Sequence, residues 1–357
     1  MEGAALTMRT AGLLAFVLAI PTLTIAQAGG AAQGAGGAGA PQANSPSPRP
    51  AAAPAAPVDY PPYTRPVSTY VPPRTPDGQP DISGLYVGIP LPRNIETPAV
   101  PATGRRPANR AGGEYMYGLN DRAKLPEGAI VRPAVVDPAD GKIPLRPEAL
   151  ARRKEIMANQ NQIEHLDGRV MCLVPGVPRI TVSQVVVGYQ IFQKPGYVVI
   201  FYEQSHLYRT IPLDNRPAAD PAIKKGLGVS RGHWEGNTLV VEVTNFTNNF
   251  ENNWIIASQG NDGQIGAEAL ASGHGIPHSD AYRVTERYTP IDANTIHYEA
   301  RVTDEKVFTQ PITLAWYGFA RAPKDYVPIE YACFEGNAKN VLLMTNTDIS
   351  KIRVDIP

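Results

Sequence analysis

Gly228-Val-Ser-Arg-Gly-His-Trp-Glu-Gly-Asn-Thr-Leu-Val-Val-Glu-Val243 is the stretch that decides the fold of this chain. Glu235-Gly-Asn237 is a tight turn, and the residues after it alternate with β-branched side chains. The stretch therefore reads as a hairpin. A second polar cluster, Pro277-His-Ser-Asp-Ala-Tyr-Arg-Val-Thr-Glu-Arg-Tyr288, also sits against a strand. The pair points to an antiparallel β-protein with polar groups placed beside its strands.

Working outward, period-two patterns predict strands at Thr181–Val187, Gln190–Gln193, Tyr197–Glu203 and Tyr208–Ile211. Further strands are expected at Thr238–Thr244, Ala281–Tyr288, Thr295–Val302, Ile312–Tyr317 and Ile329–Ala332. Asn237-Thr-Leu-Val-Val-Glu-Val243 matches Asn294-Thr-Ile-His-Tyr-Glu-Ala300 in polarity and size, which shared hairpin chemistry explains as well as a repeat. Many strands joined by short turns favour an antiparallel barrel, broadly lipocalin-like, with a β-sandwich as the alternative. A barrel removes the edges that a lone sheet exposes.

One helix is expected, from Arg146 to His165, with Pro147 and Glu148 in its first turn. Ala149, Leu150, Ala151, Ile156 and Met157 would form its apolar stripe, and Asp167-Gly168 would end it. Ile89 to Pro144 reads as an irregular covering segment. Thr247 to His278 reads as a lid or a surface excursion.

The N-terminal residues have the make-up of an export signal over 1–28. Arg9 supplies charge, Ala11–Ile20 is a short apolar run, and Ala26-Gln-Ala28 offers small residues for cleavage. The run is shorter than the roughly 20 apolar residues that span a bilayer, so no transmembrane segment is expected after cleavage. Residues 29–76 are mostly Ala, Pro, Gly and Ser and read as a disordered linker. Pro76-Asp-Gly-Gln-Pro-Asp-Ile-Ser-Gly-Leu-Tyr-Val-Gly88 opens a single β-rich domain over 77–357.

The charge balance is even, at 33 basic and 33 acidic residues, and no basic stripe interleaves with aromatics; this argues against nucleic acid as a partner. Cys172 and Cys333, if exported, meet an oxidising compartment, so a disulfide is the leading reading. Two separate buried thiols are the alternative.

Pro80-Asp-Ile-Ser-Gly84, Cys172-Leu-Val-Pro-Gly-Val-Pro-Arg179 and the Trp234-Glu-Gly-Asn-Thr-Leu-Val-Val241 block resemble the pattern of a family of exported bacterial β-rich proteins. His278-Ser279 with Glu286-Arg-Tyr288, and Tyr331-Ala-Cys-Phe-Glu-Gly-Asn337, are similar to the same pattern. The likeness covers nearly all of the chain after the linker. In the family Arg often stands where this chain has His233, and Asp where it has Asn237. The family carries no settled activity, so the resemblance implies fold class and export rather than mechanism.

Candidate chemistry falls into a few groups. His278 beside a strand is a candidate general base, and Glu286 a candidate acid or orienter for it. Glu286 and Arg287 must point to opposite faces, so only one can face a barrel interior. The plainer alternative for His278 to Arg287 is a capped turn and a structural ion pair. Glu203, the third candidate catalytic residue, and Arg209 would form a cross-strand pair, or Arg209 would hold a ligand hydroxyl or carboxylate. His233, Trp234 and Arg287 complete the candidate ligand-binding set. His274 and His278 have a helical zinc spacing, but Gly275 and Pro277 between them remove its force, so no metal is expected. Gly228-Val-Ser-Arg-Gly232 matches a nucleophile-elbow pattern by chance, because a strand rather than a helix follows it.

The expected function is binding of a small molecule, a carbohydrate or an aromatic compound, by a periplasmic or cell-surface protein without a cofactor. The alternatives are a cofactor-independent acid–base enzyme using the same pocket, and a structural surface module.

Overall fold

The turn at Gly236-Asn237 takes two residues between strands β6 (Val229–Glu235) and β7 (Thr238–Thr244), and the register pairs Glu235 with Thr238. Gly236 has φ +59°, a conformation open to glycine at little cost and matched to the twist of paired strands. This hairpin belongs to a nearly closed antiparallel barrel of nine strands. The computed structural model describes residues 62–88, 95–96, 134–159, 174–181, 188–214, 216–247, 275–328 and 330.

The remaining elements in chain order are β1 (Gly84–Gly88), β2 (Val135–Asp137), α1 (Pro147–Ala158), β3 (Gly188–Lys194), β4 (Tyr197–Tyr202) and β5 (Leu207–Pro212). After β7 come β8 (Arg283–Pro290), β9 (Thr295–Thr303) and β10 (Ile312–Arg321). The sheet runs β5-β4-β3-β1-β10-β9-β8-β7-β6, with β2 pairing β10 off that path. Every step along the path is antiparallel, so its end strands, β5 and β6, run the same way. They meet through side chains, and among the described residues no ladder joins them. The contact is close at Gly232, where an added Cβ would stand 2.7 Å from Ile211 Cγ2 and 2.9 Å from Leu213 Cδ2. A side chain at 232 would wedge this seam open.

Alternation fills the interior. Val284, Glu286 and Tyr288 of β8 face in, as do Ile296, Tyr298, Ala300 and Val302 of β9 and Leu239, Val241 and Val243 of β7. Phe319 stacks on Tyr288 and meets Tyr86, Tyr189 and Tyr298 edge-on. Large fully buried rings of this kind dominate core energetics.

The expected strands at 190–193, 197–203, 208–211, 238–244, 281–288, 295–302 and 312–317 all correspond to observed strands, with ends shifted by up to four residues. Val229–Glu235 adds the first arm of the opening hairpin. Most of Thr181–Val187, all but one residue of Ile329–Ala332, and both cysteines lie outside the described residues.

The helix is described over Pro147–Ala158, residues 160–165 of its expected span and the Asp167-Gly168 end lie outside the described residues, and its stripe differs. Ala149, Arg153 and Ile156 face the protein, while Leu150 is exposed. Arg153 takes a place in the stripe because its charge is matched, with Nη2 2.8 Å from Glu96 Oε2. Glu96 also accepts the Ile143 N–H at 2.9 Å. The covering segment is therefore partly built in, with Ile95 buried and β2 within its span.

Residues 62–76, assigned by composition to the linker, lie along the barrel's outer face. Ser68 Oγ donates to the Pro290 carbonyl (2.8 Å), Asn237 Nδ2 donates to the Tyr70 carbonyl (3.3 Å), and Arg74 Nη2 donates to Asn237 Oδ1 (3.1 Å). Specific polar contacts to strand ends hold what proline and alanine content alone would leave loose.

Candidate functional site

Glu286 sits in the inward phase of β8 at 0% exposure, and Arg287 points outward. Arg209, at 3% exposure on β5, brings Nη1 to 2.7 Å from Glu286 Oε2. Its Nη2 donates to the Tyr288 hydroxyl at 2.9 Å. That hydroxyl donates to Glu286 Oε1 at 2.9 Å, and the Tyr298 hydroxyl donates to the same oxygen at 2.6 Å. The buried charges are thus paired and hydrogen-bonded, the condition under which their desolvation is tolerated.

The electrostatics follow. Burial works most strongly against the Arg209 charge, yet the Glu286 carboxylate and the Tyr202, Tyr288 and Tyr298 hydroxyls together outweigh it and hold the guanidinium well above its ordinary range. Burial, with Glu286 adding to it, drives the Tyr288 and Tyr298 phenols well up, while Arg209 works the other way. Burial likewise pushes Tyr202 up to about 12. The phenols are neutral donors at physiological pH and poorly suited to act as bases.

The pair borders the β5–β6 seam. Ile211 meets Gly232, and β5 and β6 run in parallel, so Arg209 and Ser230 lie one inward step before that contact. Ser230 is 5% exposed. Its Oγ, Arg209 Nε and Trp234 Nε1 are buried and find no hydrogen-bond partner among the described residues. Native proteins satisfy most such groups, so three along one seam are a chemical signal.

The other expected site residues separate. Glu203 does not pair with Arg209. The β4–β5 register sets Arg209 opposite Ile200 and ends at Tyr202 and Leu207, leaving Glu203 past the last pair. Glu203 instead accepts the Gly188 N–H and the Tyr326 hydroxyl in short contacts, beside the separate apolar cluster of Val87, Ala320 and Tyr326. It ties β3 to the chain after β10 and is far better placed as a clasp than as a partner of Glu286.

The His278 ring packs edge-on against Tyr282 with centroids 5.8 Å apart. Asp304 clamps its turn by accepting the Ser279 N–H (2.6 Å) and the Ser279 hydroxyl (2.7 Å). Asp280 pairs with Lys306 at 2.6 Å. This is the capped turn with an ion pair. Arg287 and His233 do come together, but on the outside, bridged by Glu235 at 2.7 Å and 3.2 Å. Trp234, in the inward phase of β6, packs against the core.

Tyr202 and Tyr298 carry no site motif, while Ser230 enters only through the chance nucleophile-elbow match and Tyr288 only through the Glu286-Arg-Tyr288 motif. The available signal was phase, because Tyr288 and Glu286 share one face of β8 and Tyr298 faces them across the β9 register. No group of three His, Cys, Asp or Glu side chains is arranged to hold a metal among the described residues. None of their helices is long and apolar enough to cross a membrane. Compared with known families, curated proteins and solved structures, the chain finds no match.

Proposed function

We propose that the protein is an exported binder of a small neutral ring compound, a carbohydrate or a phenol, held inside the barrel beside the β5–β6 seam. The observation that carries this reading is the row of unpartnered donors, Arg209 Nε–H, Ser230 O–H and Trp234 Nε1–H, along the inner face of that seam. Hydroxyl and ether oxygens of a ligand would accept from them, and the tyrosine-rich interior suits a ring. Glu286 already balances Arg209, so an anionic ligand would bring unmatched charge into the interior.

Export is supported by the charged, apolar and small-residue pattern of the first 28 residues and by the family resemblance. The mass of the mature N-terminus tests it directly.

Concerted acid–base catalysis by His278, Glu286 and Glu203 is not favoured, because Glu203 is bound to a different cluster from the Arg209–Glu286 pair. Titration calorimetry against neutral saccharides and phenols tests the binding reading. At least one compound should bind, and Ser230→Val and Trp234→Phe should each weaken it about tenfold while the fold is kept. Absence of binding across both classes, or binding indifferent to both substitutions, overturns the proposal.

A further inference from the structure

The outer face of β9 carries a second buried carboxylate, Glu299, at 3% side-chain exposure although it points away from the barrel interior. The segment that covers it is 63–74. Arg65 grips Glu299 with both arms of its fork, Nε to Oε2 at 2.9 Å and Nη2 to Oε1 at 2.5 Å, and the Tyr63 hydroxyl donates to Oε2 at 3.0 Å. The Tyr63 ring stacks over His297, the next outward residue along β9, with centroids 6.3 Å apart. Downstream Ser68, Tyr70 and Arg74 touch strand ends and turns, Pro72 is buried, and the Pro73 carbonyl accepts the Asp81 N–H at 2.8 Å where the segment leads toward β1. It adds no strand to the sheet. Val67, 90% exposed, faces solvent in the middle of it.

We propose that residues 63–74 form a releasable strap, held on the barrel by the Glu299 carboxylate and detached by acid. The surroundings of both titrating groups point the same way. Glu299 faces Arg65 and Tyr63 from the strap, Arg287 across the β8 register and uncharged Ala315 across β10. Glu235, which also faces Arg65, is already taken by Arg287 and His233 and is not a ready substitute. His297 faces Tyr63 from the strap and uncharged Thr289 across β8, with Glu299 and Arg65 nearby. Burial would push the Glu299 carboxyl up, but the Arg65 hydrogen bonds and charge hold it below its ordinary value. Burial lowers His297 to about 4, so it is neutral under the strap at pH 7. Acid therefore removes the anion that Arg65 grips and creates a cation beside Arg65, and both changes loosen the same contact.

Backbone 15N relaxation of the full chain tests this. At pH 7 the strap should be as rigid as the sheet, with order parameters of about 0.85, and in Glu299→Gln at pH 7 they should fall below about 0.6 over residues 63–74 alone. On acidification the wild-type strap should loosen before the barrel signals lose dispersion. A strap that stays rigid in Glu299→Gln, or that loosens in the wild type only together with the barrel, overturns the proposal.

Discussion

The neighbouring strands β8 and β9 each bury a glutamate that meets an arginine, and the two pairs are built in opposite ways. Glu286 on β8 faces in and meets Arg209, which the closing of the sheet delivers. Glu299 on β9 faces out and meets Arg65, which a covering segment delivers. Arg209 is 3% exposed, whereas the Arg65 side chain is 56% exposed. The chemistry is the same and the dependence differs. The inner pair is a condition of the whole barrel, and the outer pair is a condition of the strap. Burial of a charged group therefore does not by itself tell which part of a protein relies on it; the partner's own anchorage does.

The largest effect separating the two should come from removing one inner partner. Glu286→Ala or Arg209→Ala leaves an uncompensated buried charge and should lower stability by about 3–5 kcal/mol in urea unfolding. Replacing both together, Arg209→Met with Glu286→Leu, should recover most of that loss. If the double variant is as unstable as either single one, the tyrosine hydrogen bonds rather than the charge pair dominate the interior.

Next in size is the pH response of the outer site. His297 has its folded-state pKa depressed to about 4 from an ordinary 6.5 by burial. The unfolded chain therefore binds the proton more readily between those values. The stability is fully present above about pH 6.5 and is lost as pH falls toward 4, by on the order of 3 kcal/mol. Thermal melts from pH 7.5 to 4.5 should show this, and His297→Phe, which keeps a ring under Tyr63, should flatten it.

Gly232→Val probes the seam between the two ends of the sheet. The new side chain would crowd Ile211 and Leu213 and should cost about 1–3 kcal/mol. It should also alter the amide exchange of β5 and β6 more than that of β8 and β9. Arg65→Ala is the smallest of the series. With Arg65 largely in water, the global loss should stay below about 1 kcal/mol, while trypsin cutting at Arg74 speeds up. Global destabilisation as large as that of Arg209→Ala would erase the contrast between the two pairs.

Much of the fold was legible because strand periodicity is a local property. The 228–243 hairpin, six further strands and the opposite facing of Glu286 and Arg287 all follow from spacing within one segment. The site was legible only in part. Arg209 and Glu286 were both visible as candidates, but their pairing was not, because adjacency in sequence favoured Glu203. The strap was hidden for a related reason. Its proline-rich composition describes how the free chain behaves, not which carboxylate awaits it on the barrel.

The sequence by itself determined which residues form strands, which side chains share a face, where the helix starts and where the tight turn falls. These depend on backbone sterics and on a repeat of two or 3.6 residues. Only the tertiary structure decided that β5 closes toward β6, that Arg209 reaches a carboxylate on the third strand beyond that seam, and that Arg65 buries Glu299 from outside. Those choices depend on register and closure summed around nine strands, and on which opposite charge lies within reach once the chain is compact.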